Sequence, residues 1–133
     1  MSVERFSSDS PYEDVIGYSR VVRAGDLFIT AGCTATVGGE LVGIDDAHAQ
    51  AVAAFGVGID ALSAAGCPRE NIVQTRMYVR DPADAEAVGR AHHGLLGDVR
   101  PAATMIVVSG FIDARMLVEV ELTGYVEVFE DDE

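Results

Sequence analysis

The chain has 133 residues, 9 basic and 22 acidic, for a formal charge of −13, with 49% of residues hydrophobic and 23% charged. That length supports one hydrophobic core rather than two, and the composition is that of an ordinary globular domain. The acidity argues against a sequence-independent grip on nucleic acid, which needs clustered Lys and Arg, and no apolar run approaches the ~20 residues that span a bilayer.

The first stretch, MSVERFSSDSPYEDVIGYSR, has acidic residues and no apolar core segment. It does not read as a secretory signal, and a cytoplasmic protein is expected. Residues 1–16 lack any period and are expected to form a loosely tied arm. Residues 17–128 follow as a single domain, and 129–133 as a solvated acidic tail.

RVVRA, Gly25-Asp26 and LFITAG read as two short strands around a turn. TVGGELVG carries a second turn at Gly-Gly, with ELVG as a third short strand. A helix follows, capped by Asp45 or Asp46, with Val52, Phe55, Ile59 and Leu62 recurring on one face. Gly56 and Gly58 each cost roughly 1 kcal/mol against Ala in a helix interior, so close packing against a neighbour is expected there. Gly66 and Pro68 stop the helix.

NIVQTRMYVRD alternates: Val73, Thr75, Met77 and Val79 point one way, and Gln74, Arg76 and Tyr78 the other. A second helix opens at Asp81-Pro82 and closes at Gly97, with Val88, Ala91, His92 and Leu95 inward. Two strands end the chain, ATMIVVSG and MLVEVELTGYVEV; in the second, Val118, Val120 and Leu122 oppose Glu119 and Glu121. The order β-β-β-α-β-α-β-β predicts an α+β fold, a mixed sheet with both helices on one face. The other face would carry Gln74, Arg76, Tyr78, Glu119 and Glu121 beside Ala103, Met105 and Val107. Such a face is too apolar for water and too charged for a monomer core, so self-association is expected.

Cys33 and Cys67 have no metal-ligand or CxxC spacing and read as small buried residues. Cys33 lies just beyond a strand end, where an exposed thiol of lowered pKa would be the alternative. His92 reads as a packed or capping histidine, with acid–base work as the alternative, and His48 as solvent-facing. No Ser/His/Asp order, phosphate loop or zinc spacing is visible.

AGDLFITAG, AAGC, ENIVQTRMYVRD, RPAATM and LVEVELTGYV resemble, in order and spacing, the signature segments of the RidA family (reactive intermediate/imine deaminase A, formerly YjgF). The match covers about residues 17–128. It implies a chorismate-mutase-like fold, a homotrimer whose sheets form a central barrel, and ligand clefts between subunits. The deaminating members hydrolyse enamines and imines such as 2-aminoacrylate, with no metal or organic cofactor. An arginine clamps the substrate carboxylate and a glutamate on the last strand positions water.

Carried onto this chain, that glutamate is Glu119 and the N-terminal tyrosine is Tyr18. A serine at the end of the second strand becomes Ala31, followed by Gly32-Cys33. A cleft asparagine on the second helix becomes Gly89, a cysteine after the clamp becomes Met105, and the clamp arginine itself becomes Ala103. A charge-assisted bond to a carboxylate is worth roughly 1.5–3 kcal/mol, so its loss disfavours the usual 2-imino acid hydrolysis. The pattern resembles subgroups of the family that lack this arginine.

Arg76 and Arg100 are the candidates to replace the clamp. Arg76 lies on the face expected to line the cleft, unless it only bridges to Glu119 or Glu121. Arg100 precedes a proline, hence is expected to be extended and at the rim. Two functions follow: chemistry of the imine or enamine deaminase kind on a non-standard substrate, or a non-catalytic trimer binding a small, carboxylate- or imine-containing ligand. Relatives have also been described as translation inhibitors or ribonucleases, a reading that the acidity disfavours.

Overall fold

The structure, a computed structural model, describes residues 2–127. The chain runs β1 (Val3–Phe6), a helical turn (Glu13–Gly17), β2 (Val21–Ala24), β3 (Leu27–Thr30), β4 (Thr36–Val37) and β5 (Glu40–Leu41). There follow α1 (Ala47–Ala65), β6 (Ile72–Val79), α2 (Ala85–Leu96), β7 (Ala102–Val107) and β8 (Val118–Tyr125). Six strands form one sheet in the order β1-β2-β3-β8-β6-β7. Every pair is antiparallel except β6–β7, which α2 joins as a crossover helix.

The α+β architecture matches the expected one, with one strand added to the sheet and one expected strand left out of it, both before α1. The first sixteen residues are not a loose arm: Val3–Phe6 pair with Val21–Ala24 as an edge strand, and Glu13 is buried. The strand VERF is exposed on both faces except at Phe6, so it has no alternation by which to be found. ELVG adds no third strand to the main sheet. Glu40–Leu41 pair only with Thr36–Val37, across Gly38 and Gly39, whose φ values of +60° and +84° suit a two-residue hairpin loop. The acidic tail at 129–133 and residue 128 lie outside the described residues.

One face of the sheet packs under both helices. Val21, Phe28, Met77, Val79, Val118, Val120 and Leu122 meet Phe55, Leu62, Val88 and Leu96 in a single core. Complete burial of side chains such as Phe28, Phe55 and Leu122 contributes roughly 1.5–3 kcal/mol each. Asp46 caps α1 by accepting the Ala49 N–H at 3.0 Å, and Gly66 ends it in the left-handed region. A Cβ on Gly58 would stand 2.7 Å from Leu122 Cδ1, so this glycine lets α1 lie close on β8; Gly56 has open space around it. Val52 is exposed rather than inward, because Ala47, Ala51, Ala54 and Gly58 form the stripe against the sheet.

Two strand assignments change face. Between Ile72 and Gln74 a bulge interrupts the β6–β8 register, so Ile72 is buried and Val73 is exposed. In the β6–β7 ladder Ala103, Met105 and Val107 align with Thr75, Met77 and Val79, so they belong to the helix side. Ala102, Thr104 and Ile106 are the residues that share the open face with Gln74, Arg76 and Tyr78. That face keeps Leu27 at 37%, Ile29 at 43% and Ile106 at 40% exposure. No helix among the described residues is long and apolar enough to cross a membrane.

Candidate functional site

Where β3 leaves the sheet, its pairing with β8 slips. Between the pairs Ile29–Thr123 and Cys33–Val120 lie three residues on one side, Thr30, Ala31 and Gly32, and two on the other, Glu121 and Leu122. This is a β-bulge, the kind of irregularity that re-aims side chains beside a site. Thr30 Oγ1 accepts the Leu122 N–H at 3.0 Å, filling a ladder position that the backbone has vacated. Cys33 and Val120 then exchange backbone bonds of 2.7 and 2.9 Å, which fixes Gly32 over the start of β8.

Glu119 lies against that glycine. A Cβ on Gly32 would stand 1.9 Å from Glu119 Oε2 and 2.9 Å from its carboxyl carbon. The carboxylate therefore occupies the space that any other residue at position 32 would claim. It is only partly accessible. Burial raises its pKa above the ordinary range, the Glu121 charge adds to that, and Arg20 opposes both. Glu121, two residues on, accepts a short hydrogen bond from the Tyr78 hydroxyl. That bond is the largest cause of the raised Tyr78 pKa, followed by burial and the Glu121 charge.

Arg20 was not among the expected site residues, yet it lies at the centre of the cluster. It is 7% exposed. Nη1 donates to the Gly32 carbonyl at 2.7 Å and to Cys33 Sγ at 3.7 Å, and Nη2 to the Tyr18 hydroxyl at 3.4 Å. Nε stands 3.7 Å from Glu13 Oε2, and the guanidinium lies 5.6 Å from the centre of the Tyr18 ring. Glu13 is held in turn by the Ser8 N–H at 3.0 and 3.1 Å and by the Ser8 hydroxyl. Arg20 stands alone at a strand entry, where no periodicity marks it. A buried arginine is recognised only once Glu13 and Tyr18 are folded onto it.

Of the expected residues, the structure gathers Tyr18, Ala31, Cys33 and Glu119 in one place. Cys33 is buried, with burial raising its pKa and Arg20 pulling it back, and its thiol donates to the Ala31 carbonyl at 3.4 Å. An exposed, reactive thiol is not what this environment provides. Arg76 is exposed on the same sheet face, aligned with Glu121 and Thr104, and makes no ion pair within 4 Å among the described residues.

The others lie elsewhere in the protomer. His92 is under the sheet: its Nε2 is 2.8 Å from Thr75 Oγ1 and its ring meets Phe55 edge-on at 5.5 Å. Burial lowers its pKa, and the His93 charge adds to this. Gly89 is also on α2, with open space where a side chain would extend. Arg100 is not extended. Its φ is +59°, and its N–H bonds the Leu96 carbonyl at 2.9 Å, so it closes the end of α2 by a left-handed turn that overrides the preference imposed by Pro101. Ala103 and Met105 are two strands from Glu119 and face the helix side.

Two surface depressions are lined by Gly39–Val42 with Arg115, and by Arg69, His93–Leu95, Gly97 and Asp98; neither includes Glu119. Glu119 lies on the sheet face opposite the helices, with Glu121 and Tyr78. Among the described residues no group of three or more His, Cys, Asp and Glu side chains is placed to hold a metal ion.

Comparison with known proteins agrees with this architecture. The family described as Endoribonuclease L-PSP matches residues 9–126. An uncharacterized protein of Streptomyces coelicolor is 44% identical over 124 residues, covering 93% of this chain and 92% of its own. The crystal structure of a member of the YjgF/YER057c/UK114 family from Mycobacterium tuberculosis is 38% identical, with a TM-score of 0.84, covering 94% of this chain and all of that one. A Pseudomonas aeruginosa protein of unknown function is 28% identical, with a TM-score of 0.80 over 96% of this chain and 94% of its own.

Proposed function

The chain belongs to the YjgF/YER057c/UK114 family, the family of RidA and of Endoribonuclease L-PSP, and on that premise we propose that it is a homotrimer binding a small metabolite in clefts between subunits. In this reading the open sheet face is covered by neighbouring copies. The observation that carries the assignment is the Glu119 carboxylate, partly buried and seated on Gly32, whose carbonyl accepts from Arg20. The positions of Glu119 and Ala103 are two strands and one sheet face apart in a protomer. A cleft using both is therefore assembled from two copies.

The chemistry that suits this carboxylate is hydrolysis of an imine, or of an enamine after tautomerisation. Glu119 takes a proton from water as the oxygen attacks the C=N carbon, giving a carbinolamine. Returned to nitrogen, that proton completes the amino group; the hydroxyl proton then follows the same route through Glu119 to nitrogen, and ammonia leaves as the carbonyl forms. Water supplies the oxygen and no redox partner is needed. A raised pKa makes Glu119 a better base than an ordinary surface glutamate.

Alanine at position 103 removes the positive charge that would hold a 2-imino acid carboxylate, a loss of about ten- to a hundredfold in binding. The substrate is then an imine or enamine other than the usual 2-imino acid. The same alanine also favours a second reading, a trimer that binds its ligand without turning it over.

Ammonia release from 2-aminoacrylate generated in situ separates them, comparing wild type, Glu119→Ala and Ala103→Arg. Activity in wild type that disappears in Glu119→Ala removes the binder reading and the argument about Ala103. No activity in wild type and a gain in Ala103→Arg identifies the clamp as the missing part. Silence in both, with the trimer intact, supports the binder.

A further inference from the structure

Nearly all the charge on the described surface is solvated, but Arg20 and Glu13 are not: their side chains are 9% and 5% exposed. A buried ion pair of this kind is a poor source of stability, because desolvating two charges offsets most of their attraction. Its geometry is more informative. Every nitrogen of the Arg20 guanidinium has a partner. Nε faces Glu13, Nη1 reaches the Gly32 carbonyl and the Cys33 sulfur, and Nη2 reaches the Tyr18 hydroxyl. One of these groups, Gly32, is the residue against which the Glu119 carboxylate rests, and Tyr18 is tied to it through the same guanidinium.

We infer that Arg20 is the positioning residue of this site, holding the Tyr18 hydroxyl and the Gly32 peptide in place and setting a positive charge beside the glycine on which the Glu119 carboxylate rests. The inference rests on the reading of Glu119 as the working carboxylate. Arg20 takes the place for which Arg76 and Arg100 were the sequence candidates, but by a different means. At 7% exposure, with each of its three nitrogens facing a protein group, this guanidinium is not presented to a ligand carboxylate, so it acts through its neighbours rather than by touching substrate.

The charged and titratable groups around Glu119 leave Arg20 as the counterweight. Glu121 on the same strand is a like charge. Tyr78, aligned with Glu119 on β6, gives its hydroxyl to Glu121. Cys33 in the bulge is a buried thiol. Arg76 on β6 aligns with Glu121 one rung away and is exposed to screening by solvent.

The test is a pH titration of the Glu119 side-chain carboxyl by carbon NMR in the full chain, a measurement that reads Glu119 whether or not any imine is hydrolysed. Arg20→Gln is expected to move the Glu119 midpoint to higher pH, and Arg20→Lys, which keeps the charge, to return it toward the wild-type value. Because Arg20→Gln strands the buried Glu13 charge and is liable to unfold, Glu13→Gln/Arg20→Gln, neutral at both positions, is titrated alongside. The same upward movement is expected there. An unchanged midpoint in the folded double variant, or equal displacement in Arg20→Lys and Arg20→Gln, overturns the inference. Absence of ammonia release with the expected titration would instead count against the hydrolytic reading alone.

Discussion

Replacing Gly32 by alanine places one methyl group where the Glu119 carboxylate now lies. The new carbon would stand 1.9 Å from Oε2, against ordinary contacts that begin at 3.4 Å, so the oxygen must retreat by about 1.5 Å. The obstacle is the far end of a flexible side chain rather than backbone, and Gly32 does not need a left-handed conformation. The fold should therefore survive, with a cost of about 0.5–1.5 kcal/mol for pushing Glu119 out of its preferred rotamer. Function should suffer far more, since a displacement of about 1 Å in a reacting group can cost on the order of 10²-fold in rate. A double-mutant cycle tests the geometry without reference to activity. Urea unfolding of wild type, Gly32→Ala, Glu119→Ala and the double variant should show that the penalty at position 32 vanishes once Glu119 is truncated. Additivity within about 0.5 kcal/mol would refute the contact on which the site is built.

Glu119→Gln should raise the unfolding temperature at pH 7 by about 2–6 °C, trading function for stability. The sign follows from linkage: a carboxyl whose folded pKa is raised contributes its full stability below the unfolded value of about 4.3 and loses it as pH rises through the folded value. The advantage of Gln should accordingly disappear below about pH 4 in a thermal series. His92 has the opposite dependence. Its lowered folded pKa means that stability is present above about pH 6.5 and falls as the pH drops through the folded value, so His92→Gln should flatten the difference in urea midpoint between pH 7.5 and pH 5. Gln50 is fully buried and serves the Gly43 and Arg115 carbonyls at 3.2 and 2.9 Å and the Leu117 N–H at 2.8 Å. Gln50→Leu should cost about 2–4 kcal/mol in urea unfolding, and a loss below about 1 kcal/mol would show that those backbone groups find other partners.

The sequence is most legible where burial on one face imposes a period. Val118, Val120 and Leu122 against Glu119 and Glu121 is such a case, and the caps at Asp46 and Gly66 are local chemistry read directly from residue type. Legibility fails where a period is interrupted or absent. The bulge at Val73 inverts one residue of an otherwise regular strand. VERF has no buried face because it is an edge strand. Ala103, Met105 and Val107 alternate just as Ala102, Thr104 and Ile106 do, and alternation alone does not say which set faces the helices; the parallel pairing with β6 decides that. For the candidate site, Glu119 and Tyr18 came from the resemblance rather than from spacing. Arg20 came from neither, since what distinguishes it from the other eight arginines is its burial among groups distant in sequence.

The sheet ends at β7, and from Pro101 to Gly110 not one side chain carries a charge. Proteins ordinarily blunt such a border with lysine, an inward charge or a covering helix, because unpaired strand amides and carbonyls recruit whatever chain arrives next. Here Ile106 and Val107 add exposed apolar area to the same border. An uncovered border of this composition is adhesive toward other chains. For the trimer proposed above, the hazard would lie in the interval between synthesis and assembly, when crowding by unfinished chains decides whether that border meets the correct neighbour or a tangle.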